Sequence, residues 1–374
     1  MIYVYMMVLA TLLTGGSEYI RLIKVKKDDT YLDMESQSVY KKLVSTFLYV
    51  LAFLVIFIPG AIRYYVGIDY TTYSLYQIPA ILSNRPNVKV ETLYRVIIKF
   101  GYWLGGHNSY QMIFFLTNLL IVFFLFLYIA NSSAYRWLSI IIFMGMGFFF
   151  FTLSGMRQSI GVVIALWGLQ FIRKKKLIPY IITIVIASLF HSSVIIFILF
   201  YFVDKIKINP FLVTLVMAIL NVSASHIRDL IILLSTKLDM YSSYFGSQFD
   251  NGEYSNTWVY LVLIIMLFIC ISRFLLGKEK FYKNNTELNI HYCACIIISI
   301  IGYLPTPGRL LFLFTPIYIT LIPNTIAIYK NNFMKMFLFG ITITVSVVFM
   351  YWFLFVQNMY AVLPYRYMLG NLLS

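Results

Sequence analysis

The chain has 374 residues, of which 61% are hydrophobic, and 11% are charged. A soluble domain carries about 25% charged residues, so a water-facing surface over the whole chain is excluded. Long apolar runs recur throughout, and no polar stretch is long enough for a separate soluble domain. The composition therefore predicts an all-α, polytopic integral membrane protein with residues 1–374 in one membrane domain.

The net charge of +15 would also suit a nucleic-acid-binding protein. The Lys and Arg residues, however, form short clusters between apolar runs, where they act as topology signals. We therefore expect the basic loops to contact membrane lipid and expect no nucleic acid. Cys270, Cys293 and Cys295 lie in apolar runs without a CxxC pair, which argues against structural zinc and disulfides.

The apolar runs predict about 11–12 transmembrane or re-entrant helices. In chain order they lie at about 1–17, 43–59, 110–130, 137–154, 158–172, 177–203, 210–225, 257–276, 290–304, 310–328 and 336–356.

Segment 177–203 fits either one tilted span or two short helices that turn back near His191. A reversal places the larger share of the 29 Lys and Arg residues on one side of the membrane. A single crossing would divide them almost equally, so the positive-inside rule favours the reversal. This topology leaves two sizeable outer-face loops, 60–109 and 226–256, which are rich in polar and aromatic residues.

Arg157 and His191 fall at matching depths in this topology. Each lies about 21–24 Å along a helix from the basic turn Arg173–Lys176, and the hydrocarbon is about 30 Å thick. Charged groups at that depth are energetically costly, which favours a functional role. In the alternative interpretation, Arg157 extends to lipid headgroups, and His191 caps a helix turn.

The same residues carry a resemblance to the EpsG family of Wzy-like polysaccharide polymerases. The family often has a Pro after the Glu of its Glu-plus-aromatic segment, and Thr92 stands there in this chain. The matching segments are Arg63-Tyr64-Tyr65-Val66-Gly67-Ile68-Asp69-Tyr70, Glu91-Thr92-Leu93-Tyr94, Gly155-Met156-Arg157-Gln158, Ala187-Ser188-Leu189-Phe190-His191-Ser192-Ser193, Pro307-Gly308-Arg309 and Leu363-Pro364-Tyr365.

The resemblance implies a fold similar to that of multi-span glycosyltransferases that use lipid-linked donors. It also implies the reaction, in which glycan on undecaprenyl diphosphate is transferred to an acceptor repeat unit at the outer face of the bacterial cytoplasmic (inner) membrane. The product would be capsule, exopolysaccharide or O-antigen. The implied partners are undecaprenyl-diphosphate-linked oligosaccharides, a flippase and a chain-length regulator.

Such a reaction needs positive charge near the leaving diphosphate and a base for the acceptor hydroxyl. Arginine side chains can supply the charge through bidentate hydrogen bonds, so neither a metal nor a cofactor is expected. Histidine titrates near neutral pH and suits the base, with two carboxylates as competitors. The candidate bases are His191, Asp69 and Glu91, and the candidate diphosphate ligands are Arg157, Arg63, Arg309 and Gln158.

Two other functions stay open at this point. A transporter or flippase for lipid-linked oligosaccharide would tend to have two matching halves and broken helices near mid-membrane, and no such internal match is present. A membrane acyltransferase that modifies exported glycan would also use a histidine. It would need an acyl donor from the inner side, which fits an outer-face Arg157 and His191 less well.

Overall fold

The structure is a computed structural model that describes residues 1–23, 31–86, 88–107, 109–237, 245–247, 250 and 254–368. The chain divides into two compact units, which are described separately. Unit 1 contains Met1–Phe197 and the part from Asn332 onward, and unit 2 contains Ile198–Asn331. The prediction of one membrane domain is not tested by this division and stays a prediction. Within the predicted loop 226–256, residues 238–244, 248–249 and 251–253 lie outside the described residues.

Unit 1 is built from α-helices, with short π- and 3₁₀-helical segments between them. Its α-helices, numbered in chain order, are α1 (Ile2–Leu22), α2 (Tyr31–Ile62), α3 (Ile78–Leu82), α4 (Thr92–Leu104), α5 (Gln111–Ser132), α6 (Arg136–Gly145), α7 (Phe148–Thr152), α8 (Met156–Arg173), α9 (Leu177–Ser188) and α18 (Asn332–Tyr351).

Unit 2 is also helical, so the predicted all-α polytopic class is confirmed. Its α-helices are α10 (Leu199–Val203), α11 (Pro210–Val222), α12 (Ala224–Lys237), α13 (Asn256–Leu276), α14 (Lys278–Phe281), α15 (Asn285–Ser299), α16 (Pro307–Phe314) and α17 (Tyr318–Ile328).

Five helical stretches among the described residues are long and apolar enough to cross a membrane. A sixth results if α11 and α12, which are bent by 81°, count as one broken span. Other predicted crossings appear as shorter apolar helices, including Arg136–Gly145 and Leu177–Ser188. The five stretches are Gln37–Ile62, Gln111–Ser132, Asn256–Leu276, Pro307–Ile328 and Asn332–Val356.

The predicted reversal near His191 is confirmed. A continuous helix would separate Tyr180 from Phe197 by about 25 Å along its axis. Instead, the Tyr180 hydroxyl donates a hydrogen bond to the Phe197 carbonyl. The chain therefore turns back between α9 and the 3₁₀-helix Ser192–Ile198, and His191 lies at the tip of this hairpin.

Side chains of α5 hold the C-terminal end of α2. Pro59 lies inside α2 and cannot donate a backbone hydrogen bond, which weakens the last turns of that helix. The Asn118 amide donates to the Phe57 carbonyl (2.8 Å), and the Gln111 amide donates to the Ala61 carbonyl (2.6 Å). These bonds fix the point at which the chain leaves α2 and enters the segment that begins at Arg63.

The predicted helix 137–154 and the predicted loop 60–109 both differ from the structure. The helix is broken between α6 and α7, because Gly147 has a φ of 81°, outside the helical region. The loop contains a π-helix, Thr72–Gln77, and the 13-residue helix α4. The described residues of this segment, 60–86, 88–107 and 109, therefore include helical structure and belong to unit 1.

A C-terminal segment, residues 358–367, binds the chain that follows α2. The amide of Ile68 donates to the Tyr360 carbonyl (2.9 Å), and the amide of Tyr64 donates to the Arg366 carbonyl (2.9 Å). The amide of Gly67 donates to the Ala361 carbonyl (3.2 Å). We call residues 358–367 the C-terminal strap, and it fixes the backbone of 64–68 within unit 1.

Candidate active site

Arg157 is the second residue of α8, after the N-cap residue Gly155 and Met156. Its Nη1 donates a hydrogen bond to Oε2 of Glu91, and both side chains are mostly buried, with exposed fractions of 16% and 18%. The hydroxyl of Tyr73, on the π-helix, also faces the guanidinium. A cation is unfavourable near the positive end of a helix dipole, so the Glu91 carboxylate offsets a local excess of positive charge.

Glu91 is the N-cap residue of α4 and has an extended backbone, with φ −65° and ψ 151°. Two residues later, the amide of Leu93 donates to the Leu189 carbonyl at the tip of the α9 hairpin (3.1 Å). Burial alone would raise the pKa of Glu91, but the contact with His191 and the charge of Arg157 outweigh it and lower that pKa to about 2. The carboxylate is therefore ionised at neutral pH.

His191 completes the cluster from the other side of the same carboxylate. Its Nδ1 lies 3.2 Å from Oε1 of Glu91, and its side chain is 23% exposed. The structure thus brings Arg157 and His191 together, as the matched depths predicted, and adds Glu91 between them. We call these three residues the Arg157–Glu91–His191 cluster.

Arg63 is 2% exposed and lies behind the cluster. Its Nη2 contacts the Met156 sulfur at 2.9 Å, and its guanidinium lies 5.7 Å from the ring centroid of Phe114. Burial lowers the pKa of Arg63 to about 10, which leaves it charged at neutral pH. Since Met156 precedes Arg157, Arg63 places a second positive charge close to the cluster, but in a buried position.

The other predicted site residues occupy separate positions. Gln158 follows Arg157 in α8 and is 3% exposed. Asp69 is partly buried, and its carbonyl accepts a hydrogen bond from the Tyr73 amide (2.9 Å). Arg309 is exposed in the first turn of α16, in unit 2. The functional roles assigned to all of these residues stay predictions.

Tyr73 contacts the cluster, although no role was predicted for it. It is 4% exposed, and its ring centroid lies 6.0 Å from that of Tyr94. Its spacing from Asp69, one helical turn earlier, was the available signal. That signal was weak among the 31 tyrosines of the chain.

Among the residues that the structure describes, no three His, Cys, Asp or Glu side chains come close enough together to hold a metal ion. The cluster itself offers one carboxylate and one imidazole beside a guanidinium.

Comparison with known proteins agrees with the family resemblance. The model of the EpsG family matches residues 46–367, which include every member of the Arg157–Glu91–His191 cluster. Neither a curated protein nor a solved structure matches the chain. The family match covers most of the sequence, and the chain belongs to the EpsG family.

Proposed function

We propose that this protein is a polysaccharide polymerase that extends lipid-linked glycan at the outer face of the cytoplasmic membrane. Membership of the EpsG family indicates a role in polysaccharide polymerisation. The finer proposal is transfer of glycan from undecaprenyl diphosphate to an acceptor repeat unit that is itself lipid-linked. The main support for this proposal is that the Arg157 guanidinium and the His191 imidazole both contact the mostly buried Glu91 carboxylate.

The transfer breaks the bond between sugar C1 and the diphosphate oxygen, and the electron pair leaves with the diphosphate. Negative charge on the diphosphate therefore grows in the transition state. Arg157 can stabilise that charge, and the N-terminal end of α8 favours an anion at the same place. The 16% exposure of Arg157 limits solvent screening, which strengthens the interaction.

The new bond joins sugar C1 to the acceptor hydroxyl oxygen, and the hydroxyl proton must go to a base. Glu91 suits that role poorly, because a carboxylate with a pKa of about 2 binds a proton weakly at neutral pH. We assign the base to His191, with Asp69 as the competing candidate. Diphosphate binding by Arg309, which is exposed at the start of α16 in unit 2, stays a prediction.

Deletion of the protein tests the proposal against its alternatives. A missing polymerase leaves single lipid-linked repeat units on the outer leaflet, whereas a missing flippase leaves them on the inner leaflet. A missing acyltransferase leaves full-length polymer that lacks an ester. Full-length, fully modified polymer in the deletion strain would reject all three functions.

Point variants connect the function to the cluster. We expect Arg157→Ala and His191→Ala each to abolish chain extension. Arg85→Ala and His107→Ala are matched controls in segment 60–109 of unit 1, since Arg85 is exposed, and His107 packs against Tyr102 with ring centroids 4.9 Å apart. Both controls should extend chains normally. Normal polymer lengths in Arg157→Ala and His191→Ala would remove the cluster from the mechanism.

A further inference from the structure

We propose that Glu91 is a positioning residue that keeps the proton of neutral His191 on Nδ1, so that Nε2 is the atom that accepts the proton of the acceptor hydroxyl. This inference rests on the proposed function and assigns roles within the same site. It replaces the earlier alternative in which Glu91 is itself the base.

The two oxygens of the Glu91 carboxylate face different partners. Oε2 accepts a hydrogen bond from Arg157, whereas Oε1 lies 3.2 Å from Nδ1 of His191. An ionised carboxylate accepts hydrogen bonds and donates none. When Nδ1 of a neutral imidazole faces such a carboxylate, the tautomer with the hydrogen on Nδ1 is favoured over the tautomer with the hydrogen on Nε2. The Nε2 lone pair then stays available to accept a proton.

Backbone contacts hold both partners where this contact forms. The Leu93 amide bonds to the Leu189 carbonyl, so the start of α4 is fastened to the hairpin tip two residues away from each side chain. The His191 amide donates to the Ala187 carbonyl (3.3 Å), and the His191 carbonyl accepts from the Val194 amide (3.1 Å). Nδ1 of His191 is buried and makes no hydrogen bond among the described residues, so its 3.2 Å approach to Oε1 becomes a hydrogen bond when the ring or the carboxylate rotates. Hydrogen bonds of catalytic groups are often poorly aligned before substrate binds.

Close packing against α8 also restricts the hairpin tip. A Cβ placed on Gly161 would lie 2.9 Å from a methyl carbon of Val194 and 3.5 Å from Cβ of His191. The glycine thus allows the tip to approach the helix that carries Arg157. Cβ of His191 is therefore held close to α8, while its Nδ1 lies beside Glu91.

The proton transfer balances without another reactant. Nε2 of His191 takes the proton of the acceptor hydroxyl as that oxygen forms its bond to sugar C1, and the diphosphate leaves with the electron pair of the broken bond. The imidazolium that results is stabilised by the Glu91 carboxylate. Glu91, at the start of α4, is in contact with the ring, Arg157 of α8 contacts the same carboxylate, and Tyr73 faces Arg157.

The tautomer can be measured directly by ¹⁵N NMR of the purified full-length protein labelled at histidine, at a pH where the ring is neutral. The chain has four histidines, so a His191→Gln variant assigns the signal of His191. We expect hydrogen on Nδ1 in the wild type and on Nε2 in Glu91→Ala. Hydrogen on Nε2 in the wild type would overturn the inference, whether or not any Glu91 variant folds.

Chain extension on lipid-linked repeat units in proteoliposomes gives the second readout. We expect Glu91→Ala to slow extension by about 10²–10⁴-fold, the usual contribution of a general base, and Glu91→Asp to retain the Nδ1 tautomer and part of the rate. Glu18→Ala is the matched control, because Glu18 is a carboxylate in unit 1 that accepts a hydrogen bond from the Arg136 amide (3.1 Å). It should change neither readout.

The two proposals fail in different ways. A Glu91→Ala variant with wild-type tautomer and rate would reject the positioning role, while the polymerase function would stand. A wild-type protein that has the Nδ1 tautomer but does not extend lipid-linked repeat units would reject the polymerase function, while the contact between Glu91 and His191 would stand.

Discussion

Gly67→Ala tests whether the segment after α2 must lie as close to α7 and α8 as the structure places it. A Cβ at position 67 would lie 2.4 Å from the Leu153 carbonyl oxygen. Carbon–oxygen contacts are normally about 3.3–3.6 Å, so the segment would have to move by about 1 Å. That movement would strain the bonds from Gly67 to Ala361 (3.2 Å) and from the Ile68 amide to the Ser154 hydroxyl (3.0 Å).

The expected loss combines two effects. Gly67 has a φ of 107°, a region that is strained for other residues by about 1–3 kcal/mol, and overpacking adds about 1–3 kcal/mol. We therefore expect Gly67→Ala to lower the free energy of unfolding by about 2–6 kcal/mol. The measurement is the thermal unfolding midpoint of the purified protein in detergent, with chain extension measured on the same sample.

Two other glycines separate the effects. Gly106 has a φ of 66° but open space around its Cβ position, and Gly340 also has open space and lies within α18. Gly106→Ala should show the backbone strain without the clash, and Gly340→Ala should not lower the midpoint. A midpoint for Gly67→Ala no lower than that of Gly106→Ala would refute the close packing inferred here.

Three further predictions concern the cluster and the hairpin. Arg157→Ala leaves the Glu91 carboxylate without its cationic partner, so it should lower the free energy of unfolding by about 1–3 kcal/mol. The double variant Arg157→Ala/Glu91→Ala should recover much of that loss without restoring chain extension. If the changes in thermal midpoint of the two single variants simply add in the double variant, the pairing is contradicted. Tyr73→Phe removes the hydroxyl that faces Arg157 and should slow chain extension by up to about tenfold, which corresponds to about 1.4 kcal/mol of activation free energy. An unchanged rate would exclude a positioning role for this hydroxyl. Tyr180→Phe removes the hydrogen bond to the Phe197 carbonyl and should lower the free energy of unfolding by about 0.5–1.5 kcal/mol, seen as a lower thermal midpoint. A raised midpoint would show that this bond does not hold the hairpin.

The long apolar helices could be predicted from the sequence because lipid requires backbone groups to be satisfied within each segment. The predicted helix 110–130 is Gln111–Ser132, and the predicted helix 257–276 is Asn256–Leu276. The start of α15 was predicted too late, at 290, because polar residues precede the apolar run. Asn285 and Asn289 are buried there and donate to backbone carbonyls of residues 203–206.

Helix α4 was not predicted from the sequence, for a related reason. Its buried residues Tyr94, Ile97, Ile98 and Gly101 follow the three- and four-residue spacing of a helix face. The helix has 13 residues, which is too short for a span, and it lies between polar loops. A prediction based on apolar runs of membrane-spanning length therefore did not identify this helix.

The candidate site was only partly accessible from sequence. Arg157 and His191 could be paired because each lies a similar number of residues from the basic turn that joins two antiparallel helices. Glu91 could be named as a candidate, but not as the group that joins the pair. It lies 66 residues from Arg157 along the chain, and contacts at the start of α4, including the bond from the Leu93 amide to the Leu189 carbonyl, bring it there.

The C-terminal strap has a consequence for how the protein matures. Residues 64–68 leave the ribosome long before residues 358–367, yet the amides of Tyr64, Gly67 and Ile68 donate to carbonyls of that later segment. The hydrogen bonds of the segment that carries Gly67 can therefore form only after the intervening helices have been inserted and residues 358–367 have been translated. Co-translational insertion can place α2 in the lipid, but the final backbone arrangement beside α8 is a post-insertion event.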